Sequence, residues 1–442
     1  MSRVLNSKPN ITQLKNQAKD ILDSHKQGRT DICKVLKNLN RFKGMPDKKI
    51  IAEKLALNEA QYALAMDYGF SSWNAMIKHV QALKSERHIS GIRKANGKVY
   101  IDGLPRLSWD KSGVTTFAAA LASALSATPH PFTYDQIMGY SGLAFRLRWY
   151  RRTDISEWCF SSPTGEFPEE MKATQANTGW HLDINDTIDL SETQLKDLHD
   201  KIIYSIDNGT PIIGHPNDLD VAVLYGYEQK ENRLFYLWHS YNSRKTLKLP
   251  REELKRMIII PDKYKAPKDI QACIINALSL KSWRQKSWIP QNYQEKREHS
   301  YLFGQKAFET WIDDLDMADS FSSIQKELLF NVSRWCFISL IDARNQASIF
   351  LDSHADLFDP KVARLLKRAA NIYAKQAKSM ADCANRRSLF GRGGNKTIET
   401  WDKALRKNEM AILDKSSQFD TEAIALIDKA LNEYYKMTDN MQ

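Results

Sequence analysis

Residues 111–125 read KSGVTTFAAALASAL: a glycine-bearing loop runs into a helix of small residues whose first turn offers the hydroxyls of Thr115 and Thr116. A nucleophile placed there would gain from the positive end of the helix dipole, and acyl transfer would further need a histidine base on a facing element. Two histidines stand downstream in strand-like segments, His215 in GTPIIGH and His239 in FYLWHSYN, with Asp220 between them. The helix start carries no cysteine, and a threonine hydroxyl without an adjacent base is a poor nucleophile because its pKa lies far above neutrality. Cys159, in SEWCFSSPTGEF, is the other thiol of this region and an alternative nucleophile, although its flanks read as a loop.

A second chemical feature is FRLRWYRR, where Arg146, Arg148, Arg151 and Arg152 alternate with aromatic and aliphatic residues. Arg146 and Arg148 share one strand face by the period of two, and together they suit an anionic ligand or a nucleic-acid backbone; arginines that snorkel from an edge strand over their apolar stems fit the segment equally. GRGGNK at residues 391–396 has the glycines and cations of a phosphate cradle but not the spacing of one, and it reads as an interhelical loop. The five cysteines are single and odd in number, and no H-x-x-x-H pair occurs, so neither disulfides nor a metal site nor any cofactor is expected.

These residues need a scaffold, and 442 residues with 42% apolar content suffice for two or three domains. The net charge of +11 is confined to the first quarter: residues 1–98 hold 19 Lys+Arg against 8 Asp+Glu, and the remainder balances. A basic module of this kind is compatible with nucleic acid, although a solvated lysine-rich helical surface is the favoured reading. The apolar run LFNVSRWCFISLI is broken by Asn331, Ser333 and Arg334 short of the roughly 20 residues a bilayer span needs, and the N-terminus has no signal-like apolar core. A cytoplasmic protein without a membrane partner is expected.

Helical periodicity runs from Ile11 to about Leu83, with Leu14, Ala18, Ile21 and Leu22 on one stripe and Ile32, Val35, Leu36 and Leu39 on the next. A third helix is predicted over KIIAEKLALNEAQYALAMDYGF, stopped at Gly69, and Ser71 or Ser72 caps a last one carrying Trp73 and Met76. The pattern then changes to strand, turn, strand over residues 209–242, and returns to long helices from Phe303 to about Ser388 and from Thr397 to Tyr435. The fold class is therefore α+β, in three parts: a basic helical module at 1–90, an α+β domain at 95–265 and an all-helical domain at 295–442.

Residues 10–85, with Tyr68, Gly69, Phe70, Ser72 and Trp73, resemble the helical module that heads bacterial ankyrin-repeat proteins. Residues 95–265 resemble the papain-like superfamily that includes bacteriocin leader peptidases and the N-terminal domain of the butirosin-biosynthesis acyltransferase. MGYSGLAFRLRWY, with Gly139, Ser141, Gly142 and Phe145, matches the glycine motif of the latter, and GTPIIGH…DVAVLYGYE, ending in Gly226 and Tyr227, is similar to its histidine-bearing strand pair. The resemblance implies a nucleophile near Thr115, a base just ahead of Val221 where Leu219 or Asp220 stands, and an orienting group near His239 or Asn242. Because the nucleophile and base positions depart from the family, the expected function is a non-catalytic pseudo-hydrolase that binds a peptide or small ligand through Thr115, Thr116, Arg146, Arg148 and Asp220. An acyltransferase or amide hydrolase using Thr115, Cys159 and His215 or His239 is the alternative, and nucleic-acid binding through the basic module is a third.

Overall fold

The computed structural model describes the chain except residues 1–10, 69, 71, 78–79, 81–90, 110, 150–167, 188–189, 217–219, 242–244, 255–257, 285–286, 289–300, 388–397 and 440–442. It divides into two compact units, Met1–Ile89 and Ser90–Gln442.

In the first unit α1 (Ile11–Lys26), α2 (Cys33–Leu36), α3 (Asp47–Ala52) and α4 (Leu57–Asp67) enclose a small core of Ala18, Leu36, Phe42, Ile50 and Leu64. The third helix expected from the sequence is two helices: the chain is extended at Glu53 and Ala56, and the Glu59 carboxylate accepts the Ala56 N–H at 2.9 Å, which restarts the helix. The Ser72 hydroxyl accepts the Ala75 N–H at 3.0 Å, the N-terminal cap that its position suggested.

The second unit is α+β. Its strands are β1 (Ile92–Ala95), β2 (Lys98–Ile101), β3 (Arg148–Trp149), β4 (Trp180–Asn185), β5 (Ile212–Gly214), β6 (Ala222–Lys230), β7 (Arg233–His239), β8 (Leu247–Pro250), β9 (Ile258–Tyr264), β10 (Ser287–Trp288) and β11 (Tyr301–Phe303). The nine-residue β6 is the spine of an antiparallel sheet. On one side it pairs with β7, which pairs with β8; on the other, its first half pairs with β5 and its second half with β2. The order β1-β2-β6-β5-β9-β4 completes the sheet, and β10-β11-β3 forms a separate small one. The register of β6 on β7 shifts between Leu224 and Gly226, so Tyr225 is bulged. Gly226 is required there: a Cβ would lie 2.6 Å from both the Tyr100 Cβ and the Val99 carbonyl oxygen.

The helices of this unit are α5 (Thr116–Leu125), α6 (Tyr134–Tyr140), α7 (Pro168–Thr178), α8 (Glu192–Asp207), α9 (Ile270–Leu278), α10 (Lys281–Arg284), α11 (Gly304–Asp316), α12 (Ser323–Ala355), α13 (Pro360–Arg387) and α14 (Lys403–Asp439). Five alanines among the ten residues of α5 let it lie close against β5 and β6, where nine of its side chains are buried. The C-terminal helices do not keep a core to themselves. Phe350 and Leu351 of α12, Tyr373 of α13 and Ile427 of α14 belong to the same apolar cluster as Phe117, Leu121, Val223 and Trp238. A second cluster gathers Trp149, Trp311, Phe337 and Trp401. Arg344 of α12 ties the layers together, donating to both carboxylate oxygens of Asp420 at 2.5 and 2.9 Å and to the Ala144 carbonyl at 3.0 Å. No described helix is long and apolar enough to cross a membrane.

Candidate functional site at the start of helix α5

Thr115 is the N-cap of α5, and its carbonyl accepts the Ala119 N–H at 3.1 Å. Its side chain does not cap the helix as a threonine ordinarily would; the hydroxyl is buried, with the residue 1% exposed, and has no hydrogen-bond partner among the described residues. Thr116 turns the other way and its hydroxyl accepts the Val221 N–H at 3.1 Å, fastening the helix start to the start of β6. That bond brings Asp220, the residue before Val221, beside the helix start.

The two backbone donors just ahead of that turn are occupied. The Thr115 N–H donates to the Tyr134 hydroxyl at 3.0 Å, the Val114 N–H reaches Asp342 Oδ2 at 3.5 Å, and the Tyr134 hydroxyl donates to that Oδ2 at 2.5 Å. In a hydrolase the amide at the nucleophile position of such a helix start would help to stabilise an oxyanion; here the Thr115 amide is taken by a phenol and the Val114 amide before it faces a carboxylate. Gly113 makes this possible. Its φ is +95°, and a Cβ there would fall 2.2 Å from Tyr134 Cζ. Burial raises the Asp342 carboxyl above the usual carboxylate range, against the pull of hydrogen bonds from Tyr134, Gln346 and the Val114 amide. Burial first, and then Asp342, hold the Tyr134 phenol well above its ordinary value.

Outside this latch lies a row of aromatic rings. Tyr241 donates to the Gly113 carbonyl at 3.0 Å, the Trp109 ring lies 4.4 Å from Tyr241, and Trp335 lies 5.3 Å from Trp109. Trp335 is 45% exposed, so the row ends at the surface. Trp335 and Asp342 are seven residues apart on α12 and therefore share one helix face, which is how one helix furnishes both the rim and the latch.

His239 closes β7, directly across from Val223 of β6. The neighbouring Tyr236 points to the opposite face, where its hydroxyl meets His199 of α8 at 2.6 Å. The bulged Tyr225 places its ring 4.1 Å from His239. Burial, then the nearby Arg106 cation, lower His239 to about 4, so it is a neutral imidazole at pH 7. His215 is buried just after β5. Because the Thr115 hydroxyl has no partner among the described residues, neither histidine is hydrogen-bonded to it.

The two arginines of the glycine-motif segment are both buried and line a small void of about 10 Å³ against Cys336, Ser339 and Ala343 of α12; Thr115 and Thr116 do not border it. Arg146 is ion-paired with Glu170 of α7. Cys159, Arg151, Arg152, Leu219, Asn242, Gly69, Ser71 and the 391–396 loop lie outside the described residues. Among the described residues no group of three or more His, Cys, Asp or Glu is placed to hold a metal ion.

The Thr116–Val221 bond places the helix start next to Asp220, while Tyr241, Tyr134, Trp109, Trp335 and Asp342 were not among the expected site residues. The one sequence signal for Asp342 is an acid inside the apolar stretch FISLIDA, in a helix expected to belong to another domain. Comparison with known proteins finds no matching family model and no matching curated protein.

Proposed function

We propose that residues 90–442 form a non-catalytic papain-like module that holds a peptide or small ligand at the aromatic rim of the α5 helix start. The observation that carries this reading is the occupation of the Val114 and Thr115 amides by Asp342 and Tyr134. With those two donors engaged and the Thr115 hydroxyl buried without a hydrogen bond to His215 or His239, the Thr115 position lacks both a free amide for an oxyanion and an activated attacking group. What the site offers a visitor is the half-exposed Trp335 backed by Trp109 and Tyr241, an apolar stacking surface with Asp220 beside it.

The test is selection of binders from a random peptide library on the full chain. Peptides carrying an aromatic residue are expected, binding at least tenfold more weakly to Trp335→Ala and equally well to Thr115→Ser. Binding that survives Trp335→Ala unchanged, or hydrolysis of a selected peptide that is lost in Thr115→Ala, would overturn the reading.

A further inference from the structure

A second site stands apart from the α5 helix start, at the beginnings of α12 and α14. A surface cleft of about 560 Å³ lies there, within the range of small-ligand pockets. Its most deeply set members are Arg406 and Trp401, each 2% exposed; Arg406 donates to the Trp401 carbonyl at 3.0 Å and lies over the Trp401 ring at 5.3 Å. The Trp401 indole N–H in turn donates to Glu409 at 3.0 Å, and Glu409 accepts from Ser333 of α12. Arg406 is therefore held from behind by a buried network, with its outer amino group facing the cleft.

That outer group and Lys326 converge on a single oxygen. Arg406 Nη2 lies 2.5 Å and Lys326 Nζ 2.9 Å from Oδ1 of Asp319, which is half exposed on the short turn Met317–Ser320. Two cations from two helices, one of them preorganised by burial, define a seat for one carboxylate oxygen, and a side chain on a solvent-facing turn fills it. We propose that this cleft binds the carboxylate of a small organic acid in exchange for Asp319, with the rest of the ligand against Ile398 and Trp401. Glu327 and Asp402 also line the cleft, so its three cations face three carboxylates. A second negative charge on the ligand meets repulsion, and a monocarboxylate is favoured over phosphate.

The experiment is calorimetric titration of the full chain with acetate, butyrate, hexanoate and inorganic phosphate, at constant ionic strength made up with chloride. Removing the resident charge with Asp319→Asn is expected to tighten hexanoate binding at least tenfold over wild type. Adding Lys326→Met to that variant is expected to reverse the gain, and affinity is expected to rise from acetate to hexanoate as more chain meets the apolar wall. Asp319→Ser provides the same test should the asparagine variant lose its native circular dichroism. Equal affinity in wild type and both Asp319 variants, indifference to Lys326→Met, or phosphate binding more tightly than hexanoate would each overturn the proposal.

Discussion

Tyr134→Phe removes one oxygen atom, and that oxygen both accepts the Thr115 N–H and donates to Asp342. Losing a hydrogen bond to a charged group costs about 1.5–3 kcal/mol, and leaving a buried amide without its acceptor costs about 1–3 kcal/mol, so the two together come to about 2.5–6 kcal/mol at neutral pH. The penalty depends on pH in a fixed direction. The Asp342 carboxyl is raised by burial and pulled down by Tyr134, so the phenylalanine variant raises it further. A carboxyl raised in the folded state contributes most stability when protonated, below its unfolded value near 4, and that contribution is lost as pH rises through the folded value. The cost of the substitution therefore grows from acid towards neutral pH. Hydrogen exchange of the Thr115 amide measures it directly: even the lower bound of about 2.5 kcal/mol corresponds to roughly 70-fold faster exchange. Exchange at pH 7 within threefold of wild type, or a penalty independent of pH, would refute the latch.

Thr115→Cys is expected to place a thiol with no base beside it; labelling by iodoacetamide at neutral pH should be slow, and rapid labelling with a midpoint near pH 7 would show that a histidine reaches the helix start. His239 should titrate by NMR near 4. Since its folded value lies below the unfolded one near 6.5, its contribution is complete above pH 6.5 and is lost as pH falls towards 4, by up to about 3 kcal/mol, which His239→Gln should abolish in denaturant midpoints. Arg344→Leu leaves Asp420 buried without its partner and should cost about 3–5 kcal/mol by denaturant unfolding, whereas changing both residues to leucine should recover most of the loss.

Local structure was readable where neighbours in sequence decide it. Alanine-rich α5, the strand pair over residues 222–239 and the Ser72 cap all follow from side chains within a few positions of one another. The break between α3 and α4 escaped because every residue from Lys49 to Phe70 except Gly69 tolerates a helix; the interruption rests on one carboxylate, Glu59, folding back on the Ala56 amide. The site was legible in its near half only. Thr115, Thr116 and Asp220 are announced by a helix start and a strand start, whereas the partners of the Val114 and Thr115 amides come from tertiary packing. Nothing in the letters around Tyr134 or Asp342 says that the two will meet, because periodicity reports which face of a helix is apolar and not which helix it will cover. The same gap explains why residues 95–265 and 295–442 read as separate domains and yet share one core.

The latch has a consequence for biosynthesis. Asp342 follows Tyr134 by 208 residues, so α5 and its glycine turn leave the ribosome long before the carboxylate that covers them has been made. At about 5–20 residues per second the interval is roughly 10–40 s, during which the Val114 amide lacks the carboxylate it reaches in the finished protein. Throughout that window the Tyr134 hydroxyl is also without the acceptor that later fixes it, and a chain that ends before Asp342 never acquires that acceptor.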